Sequence, residues 1–316
     1  MKIYAILMIV LILIITGCSK NETKETIQEN IQEQIIDRES KLPSDITKVN
    51  PETDISPPKS YSSEYNSPVP LPSAINTNGA EDSPFMVPSG DTLYFFFTPD
   101  VRIPVEKQVI DGVTGIWVSK KVNGEWQKAE RVLLQEPGKA GSDGCEFVQD
   151  NKMLFCTVRE GYAGINWFSA DFINGKWTNW KNANFDPSYE VGELHIYGDE
   201  LYYHSSRAGG KGGLDIWMLK NINGKWQNPV NVAAVNTEKD EGWPAISPDG
   251  NELWIYRDYG LWRSKKSNNE WAEPELMFSP LAGEASLDNQ GNVYLTHHFY
   301  KDNKMIEADI YVAYKK

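Results

Sequence analysis

Carboxylates carry most of the chemistry open to this chain, and they recur at one kind of place. Glu81 and Asp82, Asp143 and Glu146, Glu190 and Glu193, Asp240 and Glu241, and Glu284 all stand at the start of short alternating segments. His195 follows Glu193 by two residues, on the same face of an extended strand. If these side chains converge, two chemistries follow. Like charges crowded together raise one another's pKa or recruit a divalent cation such as calcium. Alternatively, two carboxylates across a cleft hydrolyse a glycosidic bond, with Asp82, Glu146 and Glu193 the positions to suspect as catalytic. If they do not converge, they are turn and cap residues facing solvent. Convergence makes Glu146, Glu193, His195, Glu241 and Glu284 the expected binding residues, and counting back from their hairpins gives Glu146 and Glu193 equivalent places. No nucleophile elbow, zincin helix, phosphate loop or complete EF-hand loop occurs. No organic cofactor is expected, and the sequence leaves the identity of any metal unknown.

The elements that must position these acids show up as a repeat. "RAGGKGGLDIWMLKNINGKW" (207–226) has counterparts in "GIWVSKKVNGEW" (115–126), "GINWFSADFINGKW" (164–177) and "GLWRSKKSNNEW" (260–271). Successive members of the series Trp126, Trp177, Trp226 and Trp271 lie 45 to 51 residues apart. A period in that range signals a repeat architecture, and four strands per repeat signal a propeller blade. The copy after Glu241 reads as strand "WPAIS", turn "PDGN", strand "ELWIYR", strand "GLWRSKK" and, after an Asn-rich turn, strand "WAEPELM". Asn and Gly supply the positive φ angles of such tight hairpins.

The fold class expected is therefore all-β, a single five-bladed β-propeller of four-stranded blades. Its blades cover roughly 84–135, 144–184, 192–234, 242–278 and 284–316. The fifth ends one strand short. "SPVPLPSAINTNGAEDSPF" (67–85) aligns with "QNPVNVAAVNTEKDEGWPA" (227–245), so residues 67–76 are expected to complete the fifth blade and close the ring. An unclosed propeller would expose two raw strand edges. The first strand of a blade lines the central channel, which is why its acids are expected at one mouth. The recurring tryptophans, Trp117, Trp167, Trp217 and Trp262 among them, read as packing between blades. Arg159, Arg207 and Arg257, with Asp215 and Asp309, read as braces of the loops.

"SPDGNELWIY", "SSRAGGKGGLDIW" and "NGKWQNPVNVAAVNTEKDEGWPAISPDG" resemble the WD40-like β-propeller repeats of TolB-type and envelope lipoprotein propellers. The match is close in the third and fourth copies. It is looser elsewhere: the first has "PSGD" in place of "SPDG", and the first and fourth lack the Asp of "DIW". The resemblance implies the fold and says little about chemistry, because propellers host many unrelated functions. Arabinanase- and xylosidase-type enzymes set their acids on the inner strands of five-bladed propellers, which keeps a glycoside hydrolase as the alternative reading.

The N-terminus bears on compartment. Lys2, the apolar run "IYAILMIVLILII" and "TGCSK" read as a signal peptide over 1–17. "ITGC", ending at Cys18, resembles the lipobox of bacterial lipoproteins. That resemblance implies cleavage before Cys18 and its lipidation, with a diacylglyceryl thioether and fatty acyl chains such as palmitate. The rest of the chain is then extracytoplasmic and held to a lipid bilayer, and Ser19 permits the outer membrane. Residues 18–66 read as a flexible or partly helical tether, because Ile27, Ile31 and Ile35 make too thin a stripe for a core and 42–70 is a Pro/Ser/Asp-rich linker. A net charge of −13 without a Lys/Arg stripe argues against nucleic acid. An envelope protein or a glycan is the expected partner of what reads as a binding or scaffold module. Cys145 and Cys156 flank a two-residue Asp150-Asn151 turn. Simple counting sets them opposite each other, as a disulfide or as two neighbouring buried thiols.

Overall fold

The computed structural model describes residues 37–136 and 139–316. The leader, Cys18 and the first part of the expected tether lie outside the described residues. Among those described, no helix is long and apolar enough to cross a membrane.

Antiparallel meanders make up the body, so the chain is all-β. The first comprises Ala80–Met86, Thr92–Thr98 and Gly115–Val122, with the short Glu125–Trp126 and Glu130–Arg131 beside it. The second is Gly141–Gln149, Lys152–Arg159, Asn166–Ile173 and Lys176–Asn182, and the third Leu194–Tyr197, Glu200–Ser205, Asp215–Ile222 and Lys225–Asn231. The fourth runs Gly242–Ile246, Glu252–Arg257 and Gly260–Ser267, then Glu270–Trp271 and Glu275–Ser279. The last is Ala282–Leu287, Val293–Lys301 and Lys304–Ala313. A single parallel bridge, Ala308 to Ala80, fuses the last and first meanders into one nine-stranded sheet, and no sheet closes into a barrel.

Turn chemistry fixes the registers. Each hairpin into a fourth strand has both central residues left-handed, as at Asn123 (φ 53°) and Gly124 (φ 86°), and Asn174-Gly175, Asn223-Gly224 and Asn268-Asn269 repeat it. That geometry matches the twist of the flanking strands. The glycine-rich loop before Asp215 exists to wrap a carboxylate. Lys211 and Gly212 donate their N–H groups to Asp215, and a Cβ on Gly210 would lie 2.0 Å from that carboxylate.

Val69–Pro70 pairs antiparallel with Lys304–Ala313, and Leu71 N donates to Ile310 O at 2.9 Å. The Asn76 amide then both donates to and accepts from the Ile310 backbone. In the aligned segment Val232 N donates to Ile216 O, and Asn236 brackets Ile216 in the same way. Two stretches matched by sequence thus perform the same job on two third strands. Apolar clusters fill the spaces between meanders: one joins the first three, one the third and fourth, one the fourth and last, and one the last and first. Trp117, Trp167, Trp177 and Trp217 are buried in them.

One expectation needs correcting. The tether expected over 18–66 is packed structure from residue 37 onward. Arg38 is buried against Glu81, Lys48 pairs with Glu307 and Asp309, and Asp54 meets His297 at 2.9 Å. Lys59–Ser60 adds a strand to Glu275–Ser279, and Tyr65 is buried against Trp254 and Phe278. The segment lacks apolar periodicity because it docks through isolated polar anchors on a finished surface, so its composition reads as a linker's.

Candidate functional site: an acidic cavity where the first strands meet

The first strand of each meander packs against that of the next, and the last against the first. A cavity of about 50 Å³ lies between them, and every first strand contributes to its lining: Pro84, Glu146, Glu193, Pro244 and Glu284 are examples. The backbone explains why neighbouring residues share one wall. Register breaks occur between Asp82 and Phe85, Gly144 and Phe147, Gly242 and Ala245, and Gly283 and Ser286. Ser83, Cys145, Trp243 and Glu284 sit there at φ 49 to 54°. Such bulges re-aim side chains that strict alternation would send to opposite faces. The third meander makes the same shift just before its strand, where Gly192 N donates to His204 O and His204 N to Glu193 O, but without a left-handed residue, and there Glu193, Leu194 and His195 line the cavity.

The bulge also corrects two countings. Gly144, not Cys145, stands opposite Cys156, yet Cys145 and Cys156 are disulfide-bonded with Cα atoms 5.4 Å apart. Glu146 and Glu193 are not equivalent: Phe147 pairs with Leu154 and His195 with Tyr202, which offsets the two glutamates by one position. Both still reach the cavity.

Asp82, Glu284 and His298 come together with ligand atoms within 4.8 Å of one another. Glu284 accepts from Ser83 N and Thr296 Oγ1, each at 2.8 Å. Glu146 is 7% exposed, and among the described residues neither of its oxygens has a hydrogen-bond partner. Burial pushes its pKa up to about 8. Burial first, then the charges of Glu284 and other carboxylates, raises Asp82 and Glu193 well above the usual range. Burial also depresses His195 to about 4, so this imidazole is neutral, and its ring packs 4.8 Å from that of Phe147.

Glu241 departs from expectation. It is fully buried, accepts from Arg257 Nε at 2.7 Å and Thr237 Oγ1 at 2.6 Å, and does not line the cavity. Glu190 and Asp240 are exposed. The arginines do not brace aspartates of the third strands. Arg159 pairs with Asp143 and Arg257 with Glu241, both first-strand acids, while Arg207 lies over Trp217.

Sequence reasoning missed His298, which comes from a second strand, and a row of rings leading outward. His204, Trp243, Tyr256, Tyr259 and Tyr300 follow one another with centroids 5.2, 5.2, 6.4 and 6.5 Å apart. Trp243 lines the cavity, and Tyr259 at the surface is 57% exposed. These residues belong to single meanders and not to the repeated positions.

No protein-family model matches the sequence, and no curated protein does. Solved structures of propeller type do. An endo-arabinase from Bacteroides thetaiotaomicron is 13% identical, with 78% of this chain and 96% of that one covered and a TM-score of 0.47. A gluconolactonase from Xanthomonas campestris is 10% identical over 82% of this chain and 95% of that one, with a TM-score of 0.45. A TolB-like protein from Agrobacterium tumefaciens is 12% identical over 77% and 93%, with a TM-score of 0.37. Likeness of this degree carries no function over to this chain.

Proposed function

We propose that the chain is a five-bladed, TolB-like propeller of the WD40-like repeat type, closed by residues 67–76. In this reading it is anchored outside the cytoplasm through a lipidated Cys18 and binds an envelope protein or a glycan. The ring of inner-strand contacts and the matched roles of Asn76 and Asn236 support the fold. The observation that carries the binding function is the row of rings from Trp243 to the exposed Tyr259 and Tyr300. Tyrosine and tryptophan offer a rigid apolar body with a polar tip, which is why they concentrate at recognition surfaces. Cavity size weighs against the hydrolase. About 50 Å³ accommodates an ion and a few waters, far below the roughly 300 Å³ at which small-molecule sites begin.

The test uses the full chain, purified in detergent and presented to solubilised envelope proteins and to polysaccharides. One ligand class should be retained, without release of sugar. A Tyr259→Ala, Tyr300→Ala double variant should lose it while melting as the wild type does. Retention unchanged in that variant would sink the rim as the binding surface, and sugar release would install the hydrolase. Cys18→Ser should abolish lipidation, and a variant that still matures with a lipid anchor refutes the leader reading.

A further inference from the structure

The carboxylates beneath the rim are in an unusual state. The charges that act on Asp82 are those of Glu284, Glu193, Glu146 and Glu81, all of the same sign. The field of Arg131 reaches Glu146, but its guanidinium donates to the carbonyls of Thr114, Ile116 and Val132. Glu146 itself is more than nine-tenths buried on the cavity wall with both oxygens unpartnered. Burying a carboxyl without a partner costs on the order of 1–3 kcal/mol, and a fold that does so at a convergent site retains the group for a ligand.

We propose that one divalent cation binds beside the cavity through Asp82, Glu284 and His298, of which Glu284 also lines the cavity wall together with Glu146. Three features carry this. The donor atoms of Asp82, Glu284 and His298 already lie within 4.8 Å of one another, a span that a single ion bridges with metal–ligand bonds of about 2.0–2.4 Å. Glu284 is held by Ser83 N and Thr296 Oγ1 through one oxygen, Oε2, while its other oxygen takes neither bond. That is how an outer partner orients a metal-binding carboxylate. Finally, the three residues come from the first strand of the first meander and from two strands of the last. An ion there would therefore add a link between two meanders already joined by a parallel bridge, an apolar cluster and the Ser83 N bond to Glu284.

The donor set also selects among ions. Calcium and magnesium favour all-oxygen shells, whereas imidazole beside carboxylates suits a first-row ion such as Mn²⁺ or Zn²⁺. The site is thus assigned to Mn²⁺ or Zn²⁺ and not to calcium. The inference does not depend on what the tyrosine rim binds, because the rim variants leave Asp82, Glu284, His298 and Glu146 in place.

The experiment begins with elemental analysis of the full chain purified without chelator, then thermal melts after chelation and addition of Mn²⁺, Zn²⁺, Ca²⁺ or Mg²⁺ separately. One equivalent of metal per chain is expected. Mn²⁺ or Zn²⁺ at a hundredfold excess over Kd should raise Tm by roughly 5–10 °C. Asp82→Asn and His298→Ala should abolish that rise, and chelated Asp82→Asn should melt no lower than chelated wild type. A response to Ca²⁺ alone overturns the role of His298. Absence of any metal-dependent shift in the wild-type protein, or an undiminished shift in Asp82→Asn, overturns the site.

Discussion

Two sets of acids stand on or beside the first strands, side by side at Glu81 and Asp82 and three residues apart at Asp143 and Glu146, and the chain treats them in opposite ways. Glu81, Asp143 and Glu241 are each neutralised from within. Glu81 takes Arg38 at 3.1 Å and Thr77 Oγ1 at 2.6 Å, Asp143 takes Arg159 at 2.8 Å and Thr157 Oγ1 at 2.6 Å, and Glu241 takes Arg257 and Thr237. Among the described residues Asp82, Glu146 and Glu284 receive no such arginine, and burial leaves Asp82 and Glu146 with raised pKa values. The first set is paired with arginines that the chain itself supplies. The second is held ready for something the chain does not itself supply. Residue type does not distinguish them, whereas the nearest cation does.

The largest expected effect is on the paired set. Arg38→Ala leaves Glu81 fully buried without its counter-ion, and breaking such a pair costs about 3–5 kcal/mol. Urea denaturation at pH 7 measures it, and a loss below about 1 kcal/mol would mean that Arg38 does not serve as Glu81's counter-ion. The double variant Arg38→Met, Glu81→Leu should recover most of the loss, since burial opposes both charges and an apolar pair escapes that cost.

Next in size is the disulfide, which pins the strand that carries Glu146. Cys145 and Cys156 close a loop with a sequence separation of 11, for which chain entropy gives about 2–3 kcal/mol. Cys145→Ser with Cys156→Ser should lower stability by that amount. Denaturation under oxidising and reducing conditions should differ for the wild type and coincide for the variant. Coincident wild-type curves would place the two residues as free thiols.

The unpaired set should respond with the opposite sign. With its pKa pushed up to about 8, Glu146 at pH 7 resists ionisation that an unfolded glutamate completes freely. Glu146→Gln removes that penalty, so in chelator the variant should be as stable as wild type or more so, by about 1–2 kcal/mol. A loss of more than 1 kcal/mol on chemical denaturation would reveal a hidden partner and collapse the contrast.

Much of this contrast was written in the residues, but not all of it in a form that counting recovers. The antiparallel meanders were legible because Asn-Gly turns and strand-length spacings are local and repeat. The homologous "INT" and "VNT" segments even carried the Thr-to-acid bonds, since Thr77–Glu81 and Thr237–Glu241 share one spacing. That spacing marked Glu241 as a structural residue and not a ligand. The bulges were not legible: Ser83, Cys145, Trp243 and Glu284 have nothing in common except a left-handed backbone that only tertiary packing demands. Arg38 was hidden in a polar stretch without period. Its absence from the first blade was the clue, because Phe97 there occupies the place of Arg257 beside an otherwise uncompensated Glu81. His298 lay inside an ordinary strand pattern, and only the meeting of two distant strands makes it a candidate donor.

The smallest effect expected is a pH limb, and it tests whether the paired set extends beyond the first strands. Arg263 is buried among Glu64 at 2.6 Å, Glu252 at 3.1 Å and Glu275 at 2.5 Å, and Glu64 comes from the N-terminal segment. The Arg263 guanidinium, with Lys265 beside it, draws the Glu64 carboxyl from 4.5 down to about 2. A folded-state pKa below the unfolded one contributes stability that is fully present above pH 4.5 and is lost as pH falls through 2. Glu64 is 38% exposed, so water and salt screen the pair and the contribution is modest. Glu64→Gln should therefore melt a few degrees below wild type at pH 7, and the gap should close between pH 4.5 and pH 2. A gap that stays constant down to pH 2 would mean that Glu64 acts by packing and not by charge, and the N-terminal segment would then be held by its other anchors, Arg38 and Lys48.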